Sequence, residues 1–466
     1  MNFPKTTLFI SAVAFCGLNV HAQTNRAALI VAFSGTNGSA PYTAMTEGID
    51  GNLYGTTGQG GSNYDGTIFE LSSNNVFTTL FNFGFTNGNF PPAKLLRSTN
   101  HNFYGVTYGG GSNQYGSVFE FTTNGNLISL YSFDGTNGGN PWGGLIQASD
   151  GNFYGTTSGG GTGFNGFFGS GSGTIFMMTP QGAFTNLYQF TGGTDGATSY
   201  GTLVEGTNGN LYGTTYSGGT GNGTIFEWKL DPSLEEILAF DGSDGANPAA
   251  GPVLNRRGFM VGTTAAGGSN GKGEVYTLDY EKALRVVYNF GGPDGATPYG
   301  PLVCCGDCYY GTTYSGGTYN QGAVVSVEIR SVIAARETVL YSFKDQLDGG
   351  FPEGGVTAYH NHLFVTTTES TIGTVYGGGT LIELVESPRL TRLGPTFKAG
   401  VFSATYEVQP TWTYQPQYSP DLLPGTWSAW GHSITPTERT YTFGGTVSAR
   451  AGFLRLQVEP PGLLPP

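Results

Sequence analysis

Positive charge is scarce in this sequence. Nineteen lysines and arginines face 32 aspartates and glutamates across 466 residues, a formal charge of −13, which argues against a basic groove for nucleic acid. Histidine is nearly absent, with five in the chain, so a nucleophile–histidine–acid triad has few candidates. Cysteine is limited to four, three of them in one cluster. No run after the N-terminus reaches the apolar length needed to span a bilayer, and helix signals are poor throughout.

Glycine is abundant instead: 79 residues against a usual share of about 7%. No three-residue period accompanies it, so collagen is excluded. A composition 38% hydrophobic and 14% aromatic is too rich for a disordered chain. The mixture of Gly, Thr, Asn, Tyr and Phe fits short strands joined by tight turns. The first residues read as an export signal, residues 1–22. Lys5 supplies the positive region, 8–20 an apolar run, and Val20-His21-Ala22 a small-residue cleavage site. The mature chain is therefore expected to be secreted or periplasmic.

Internal periodicity decides the fold. A phrase close to Asn-Leu-Tyr-Gly-Thr-Thr is centred on Tyr54, Tyr104, Tyr154, Tyr212, Val261, Tyr310 and Phe364, at steps of 50, 50, 58, 49, 49 and 54 residues. Each copy leads to a Gly-Gly pair (Gly60-Gly61, Gly109-Gly110, Gly159-Gly160, Gly218-Gly219, Gly267-Gly268, Gly316-Gly317, Gly377-Gly378). An apolar run such as Gly66-Thr67-Ile68-Phe69-Glu70-Leu71 follows. A further run ends on Phe33, Phe83, Phe133, Phe190, Phe240, Phe290 or Phe343, and Asn-Gly or Asp-Gly closes the unit.

Four strand-sized pieces in about 40–50 residues are the size of a propeller blade. The Ile-Phe runs do not alternate with polar residues, as expected of a sheet buried on both faces. The chain opens on a fourth strand, at 28–33, and the array stops after a third strand, at 380–384. Seven complete units exist only if the opening strand joins the last blade. The predicted fold is all-β: a seven-bladed β-propeller at 27–385 closed by its N-terminal strand, with a small β-sandwich at 389–459.

The Tyr-Gly-Thr-Thr phrase, the Gly-Gly pair, Gly-Thr-Ile-Phe-Glu and the Phe-x-Gly-x-Asn/Asp-Gly loop together resemble the GloVer tandem repeats, also called choice-of-anchor repeats, over about residues 27–385. The resemblance implies a secreted repeat protein without an established biochemical activity, and many such relatives carry a C-terminal sorting anchor. No apolar helix or basic tail stands at the end of this chain, Glu459-Pro460-Pro461-Gly462-Leu463-Leu464-Pro465-Pro466. Tyr418-Ser419-Pro420-Asp421-Leu422, Trp427 and Phe453-Leu454-Arg455-Leu456 resemble a β-sandwich module at the ends of exported bacterial proteins.

Candidate sites lie on the face that carries the loop after Tyr-Gly-Thr-Thr. That loop has 8 residues in the first two blades and 15 in the third, at 158–172. Insertions confined to one face are where binding surfaces lie. Tyr108, Phe164, Phe167, Phe168, Tyr216 and Tyr314 sit there among Gly, Ser and Asn, a combination suited to sugars or protein surfaces. Covering blade edges is the plainer role. A second ring, Tyr42, Trp142, Tyr200 and Tyr299, follows the interblade Pro or its substitute. It is expected to plug blade junctions by packing on the preceding Phe rather than to stack on a flat ligand.

Third-strand Glu70, Glu120, Glu227 and Glu383 read as acceptors for nearby Thr or backbone groups. Asp134-Gly-Thr-Asn137-Gly138 and Asp241-Gly-Ser-Asp244-Gly245 have the wrong ligand step for calcium and read as turns. Cys304, Cys305 and Cys308 are expected to yield one hairpin disulfide from Cys308, leaving one thiol. No catalytic residue, metal or cofactor is expected. The function that fits best is an exported, non-catalytic scaffold that recognises a glycan or protein through its loop-rich face. The alternatives are a carbohydrate-active lyase or hydrolase with carboxylates at the channel mouth, and a purely structural surface protein.

Overall fold

The computed structural model describes residues 26–229, 231–255, 258–279, 281–305, 308–331, 334–344, 348–360, 362–369 and 378–385. Beyond these it describes the strands at 393–398, 401–407, 413–419, 428–429, 440–446 and 453–459. The export signal and Trp427 lie outside the described residues. Among the described residues there is no helix long and apolar enough to cross a membrane.

Seven four-stranded antiparallel sheets follow one another along the chain. The first blade pairs Thr46–Glu47, Leu53–Thr57, Thr67–Leu71 and Phe77–Asn82 in order. The next five occupy 96–132, 146–189, 204–239, 253–289 and 303–342. The seventh sheet runs Arg26–Ala32, Thr380–Val385, His362–Thr367, Val356–Tyr359. The leading strand of the chain thus forms the outer edge of the last blade, and the ring is closed as the order of the sequence phrases requires.

The repeat phrase is explained by register. In the first blade Gly55 faces Phe69 across the second and third strands, and a Cβ on Gly55 would lie 2.4 Å from the Phe69 ring. The same collision would occur at Gly105, Gly155 and Gly213 with Phe119, Phe176 and Phe226. Glycine here makes room for a phenyl ring laid across the strand. Those rings are fully buried, as is the Phe ending each fourth strand, so each blade presents an apolar face to both neighbours. A β-bulge recurs between third and fourth strands at Ile68/Phe69, Val118/Phe119, Ile175/Phe176, Ile225/Phe226, Val275/Tyr276 and Val324/Val325. Repeated at one level, it deepens the twist of each blade.

The last Thr of the phrase meets the first residue of the third strand. Their hydroxyls bond at 2.8 Å in Thr57–Thr67, Thr107–Ser117, Thr215–Thr224 and Thr367–Thr380, and at 2.9 Å in Thr157–Thr174. In the fifth blade Glu274 faces Thr264 instead. The Glu274 side chain is fully buried, and among the described residues neither carboxyl oxygen nor the Thr264 hydroxyl has a hydrogen-bond partner. Burial, with Asp244 and Asp241 nearby, pushes its carboxyl up to about 8 from 4.5.

Between those two values the unfolded chain has released the Glu274 proton and the folded chain has not. Stability is therefore full below the lower value and falls as pH rises towards the upper one. Glu274→Thr is expected to restore the hydroxyl pair and to raise stability by about 2 kcal/mol or more at about pH 8. At about pH 5 the gain should be smaller. Thermal melts of both proteins across this pH range check it.

Third-strand glutamates bond to side chains of the repeat phrase rather than to Thr or backbone: Glu70, Glu120 and Glu227 to its Asn or Tyr, and Glu383 to His362, which stands in the Asn position, with a further bond from Asn75 at 3.5 Å. Glu70 accepts from Asn52 at 2.8 Å. Glu120 accepts from Asn102 at 2.6 Å and Tyr104 at 3.0 Å. Glu227 accepts from Asn210 at 2.6 Å and Tyr212 at 2.7 Å and is bridged by Lys282 at 2.7 Å. Tyr and Glu face each other directly across the strands, as Tyr104 does Glu120 and Tyr212 does Glu227, which makes this clamp a register lock; in the first blade the Tyr54 hydroxyl donates to Asp50 at 2.6 Å instead. Asp134 and Asp241 accept from the backbone N–H two residues on, both at 2.8 Å, the geometry of an Asx turn.

Cys308 faces Cys305 in the ladder and Cys304 faces Tyr309, but Cys308 is buried while the other two are half-exposed. The strands beyond residue 392 form two antiparallel three-stranded sheets, 393–398 with 401–407 and 440–446, and 428–429 with 413–419 and 453–459.

Candidate functional site at the propeller mouth

Each blade is entered through a residue with left-handed backbone: Ala40, Phe90, Asn140, Thr198, Asn247, Thr297 and Phe351, all with φ between 50° and 59°. None is glycine, so all seven carry conformational strain. Hydrogen bonds hold each of them from two sides. The Phe90 N–H donates to the Asp65 carbonyl of the preceding blade at 2.9 Å, and its carbonyl accepts from the Tyr108 N–H at 2.9 Å. Asn140 and Thr198 repeat this with Tyr115 and Ser158, and with Ser172 and Tyr216. The connector is thereby fixed beside the residue that follows the second strand of its own blade.

This bonding merges the two aromatic rings seen in the sequence into one site. Tyr42, Trp142, Tyr200 and Tyr299, two residues after the strained position, stand with Tyr108, Tyr216 and Tyr314 around a single cavity of about 410 Å³. Ala249 and Glu353 complete the lining, and every blade contributes. The aromatic contacts fall into two groups, one centred on Trp142 and one on Tyr314. Trp142 lies 6.3 Å from Tyr42, 5.7 Å from Phe90, 5.4 Å from Tyr108 and 5.6 Å from Tyr200. Tyr200 meets Tyr216 at 5.1 Å, and Tyr299 meets Tyr314 at 5.4 Å. The cavity-lining rings are half-buried and pack on one another and on Phe90 and Phe351. Gly58 shows why a small residue is needed between them, because a Cβ there would lie 2.7 Å from the Tyr42 ring.

Of the loop aromatics, Phe168 joins the rim through Tyr108 at 5.4 Å, and Phe164 packs on Tyr115 at 5.2 Å. Phe167 is 74% exposed.

Three residues escaped the sequence reading. Glu353 and Ala249 occupy the position after the interblade Pro in the seventh and fifth blades, where other blades carry aromatics; the register alone would have found them. Burial, then Glu369, pushes the Glu353 carboxyl up to about 7. Lys94 lies two residues beyond the same position in the second blade, where the other blades carry Ala44, Gly144, Thr202, Gly251, Pro301 and Gly355. Desolvation lowers its ammonium pKa. The Tyr42 hydroxyl is pushed up to about 12 by burial and then by Glu353, and Tyr299 also to about 12, by burial and then by Tyr216. These hydroxyls stay protonated, hydrogen-bonding groups at any ordinary pH.

A closed ring of seven four-stranded blades around an aromatic mouth defines a seven-bladed β-propeller. The chain belongs to the Gloeobacter/Verrucomicrobia repeat family, whose model matches residues 18–222 and 164–382. No curated protein matches the sequence. Among solved structures, an ancestral GH74 enzyme superposes with a TM-score of 0.50 at 13% identity, over 74% of this chain and 48% of its own. A PL25 ulvan lyase gives 0.46 at 11%, over 75% and 94%. A gluconolactonase of Xanthomonas campestris gives 0.40 at 10%, over 77% and 89%. Identities this low speak to the fold alone.

Proposed function

We propose that this chain is an exported, non-catalytic recognition protein that binds a glycan in the aromatic mouth of its propeller. The observation that carries this reading is the convergence of seven Tyr and Trp side chains from five blades on one cavity. Aromatic faces supply apolar contact to the C–H faces of sugars, and the tyrosine hydroxyls supply hydrogen bonds at the rim. A packed blade junction needs no open cavity of about 410 Å³. Export rests on the N-terminal leader pattern.

Trp142 touches four other rings of the mouth. Trp142→Ala is expected to lose at least about tenfold in affinity, since truncating a central aromatic anchor typically costs about 2 kcal/mol or more. A glycan array probed with the mature chain and with this variant tests the reading. Binding by neither protein, or equal binding by both, would remove the mouth as the site.

One observation favours the enzymatic alternative: Glu353 is a carboxyl in the cavity that keeps its proton up to about 7, as a general acid does. Glycoside hydrolysis in its usual form needs a second carboxylate across the bond, and among the described residues Glu353 is the one acid lining the cavity. We therefore assign Glu353 a hydrogen-bonding role in its protonated form. Wild-type affinity should fall as pH rises from about 6 to about 8, whereas Glu353→Gln should stay flat. Titrations at three pH values decide this. Product formation from a bound glycan by the wild type, absent in Glu353→Gln, would establish the enzyme instead.

A further inference from the structure

The cavity does not end the aromatic surface. From Trp142 the rings continue outward to Tyr108 at 5.4 Å and from Tyr108 to Phe168 at 5.4 Å. Tyr115 lies beside Phe168 with near-parallel rings at 6.3 Å. Phe168 is 54% and Phe167 74% exposed, on the extended loop of the third blade. Exposed phenyl rings in pairs are costly in water and mark contact surfaces.

That loop is braced rather than loose. The Gly169 N–H donates to the Asn140 side-chain oxygen at 3.0 Å, the Gly160 N–H to the Ser170 carbonyl at 2.7 Å, and the Ser172 N–H to the Thr162 carbonyl at 3.0 Å. The Ser170 hydroxyl donates to the Phe167 carbonyl at 2.6 Å, and the Tyr115 hydroxyl to the Gly166 carbonyl at 2.9 Å. Asn140 also donates to the Tyr108 carbonyl at 3.0 Å, so one side chain fixes both the loop and the ring it extends. Rings held in place before binding spare a ligand the cost of ordering them. Residues 158–172 contain no charged side chain, only Gly, Ser, Thr, Asn and Phe, which suits a neutral, hydroxyl-rich chain better than a protein surface.

The geometry points to an extended binding track: the glycan is an oligosaccharide that leaves the mouth over Tyr108 and lies across Phe168 and Phe167, and the third-blade loop sets the chain length recognised. This rests on the mouth being a glycan site. Tyr108 meets both Trp142 and Phe168 edge-to-face, so the rings offer the chain successive apolar contacts of alternating orientation.

The test uses the mature chain and length ladders of β-1,4- and β-1,3-linked gluco-, manno- and xylo-oligosaccharides, measured by calorimetry. The expected result is an affinity that climbs at least about tenfold between the disaccharide and the hexasaccharide of one ladder. In the variant Phe167→Ser/Phe168→Ser, with an unchanged melting temperature, the ratio of hexasaccharide to disaccharide affinity should collapse towards one. A wild-type affinity independent of length, or an unchanged ratio in the variant, overturns the track while leaving the mouth site intact. Binding of no ladder overturns the track and the glycan reading together.

Discussion

Deletion of residues 28–33 is expected to abolish cooperative folding of the propeller near room temperature. The strand Arg26–Ala32 pairs with Thr380–Val385 as the outer edge of the seventh blade. Without it, that blade exposes an unpaired edge of backbone donors and acceptors. The loss extends into the core. Phe33 and Val31 are buried in a cluster that contains Leu53, Phe69 and Leu71 of the first blade with Phe364 and Leu381 of the seventh. The Phe33 ring lies 5.7 Å from Phe69 and 5.8 Å from Phe77. Its N–H donates to the Gly379 carbonyl at 3.1 Å.

Cross-blade bonds depend on the same closure. The Met45 N–H donates to the Thr357 hydroxyl at 2.7 Å, and the Thr366 hydroxyl to the Thr43 carbonyl at 3.1 Å. The single substitution Phe33→Ala should cost about 3–5 kcal/mol, the range for truncating a buried phenyl ring. Chemical denaturation of that variant gives a reading even where the deletion yields no soluble protein. A truncated chain melting like the parent would contradict the closure.

Gly251→Ala is expected to be nearly as damaging. Gly251 sits at the inner end of the fifth blade, and a Cβ there would lie 1.9 Å from the Thr202 carbonyl oxygen and 2.9 Å from its carbon. Both atoms are backbone of the fourth blade, so no side chain can swing aside. The neighbouring junctions are similarly tight, with Gly143 against the Gly201 carbonyl and Gly354 against Thr43. One methyl group must therefore push adjacent blades apart beneath the aromatic mouth. The expected loss is about 3 kcal/mol or more, together with weaker ligand binding. Gly84→Ala is a fair control, because its Cβ would meet only the end of the Asn63 side chain, at 3.4 Å. Equal stability of the two variants would show that the inner ring is looser than described.

The blades and their closure were legible because each rests on a local pattern repeated seven times. The order of the phrases, opening on a fourth strand and ending on a third, carries the circular topology without any knowledge of contacts. The Asn–Tyr–Glu clamp was half legible: the glutamates stood out, but their partners lie across the strand pair, at Asn102 and Tyr104 for Glu120, and only the register joins them. The site was legible in its residues and not in its unity. Tyr42 and Tyr314 belong to different blades and different loops, and they line one cavity because the strained connectors Ala40 and Thr297 are bonded back to the residues after the second strands, Gly58 and Tyr314 itself. Nothing in composition reports a positive φ at a non-glycine residue. Glu353 was hidden for a related reason: it departs from an aromatic series, and a pattern search follows the series.

The most direct measurement of the central claim is a crystal structure of the mature protein grown with the oligosaccharide it binds most tightly. Sugar density stacked on Trp142, within the ring of Tyr42, Tyr108 and Tyr200, is the result predicted. Density on the opposite face, or on the outer strands with the mouth filled by solvent, would contradict it.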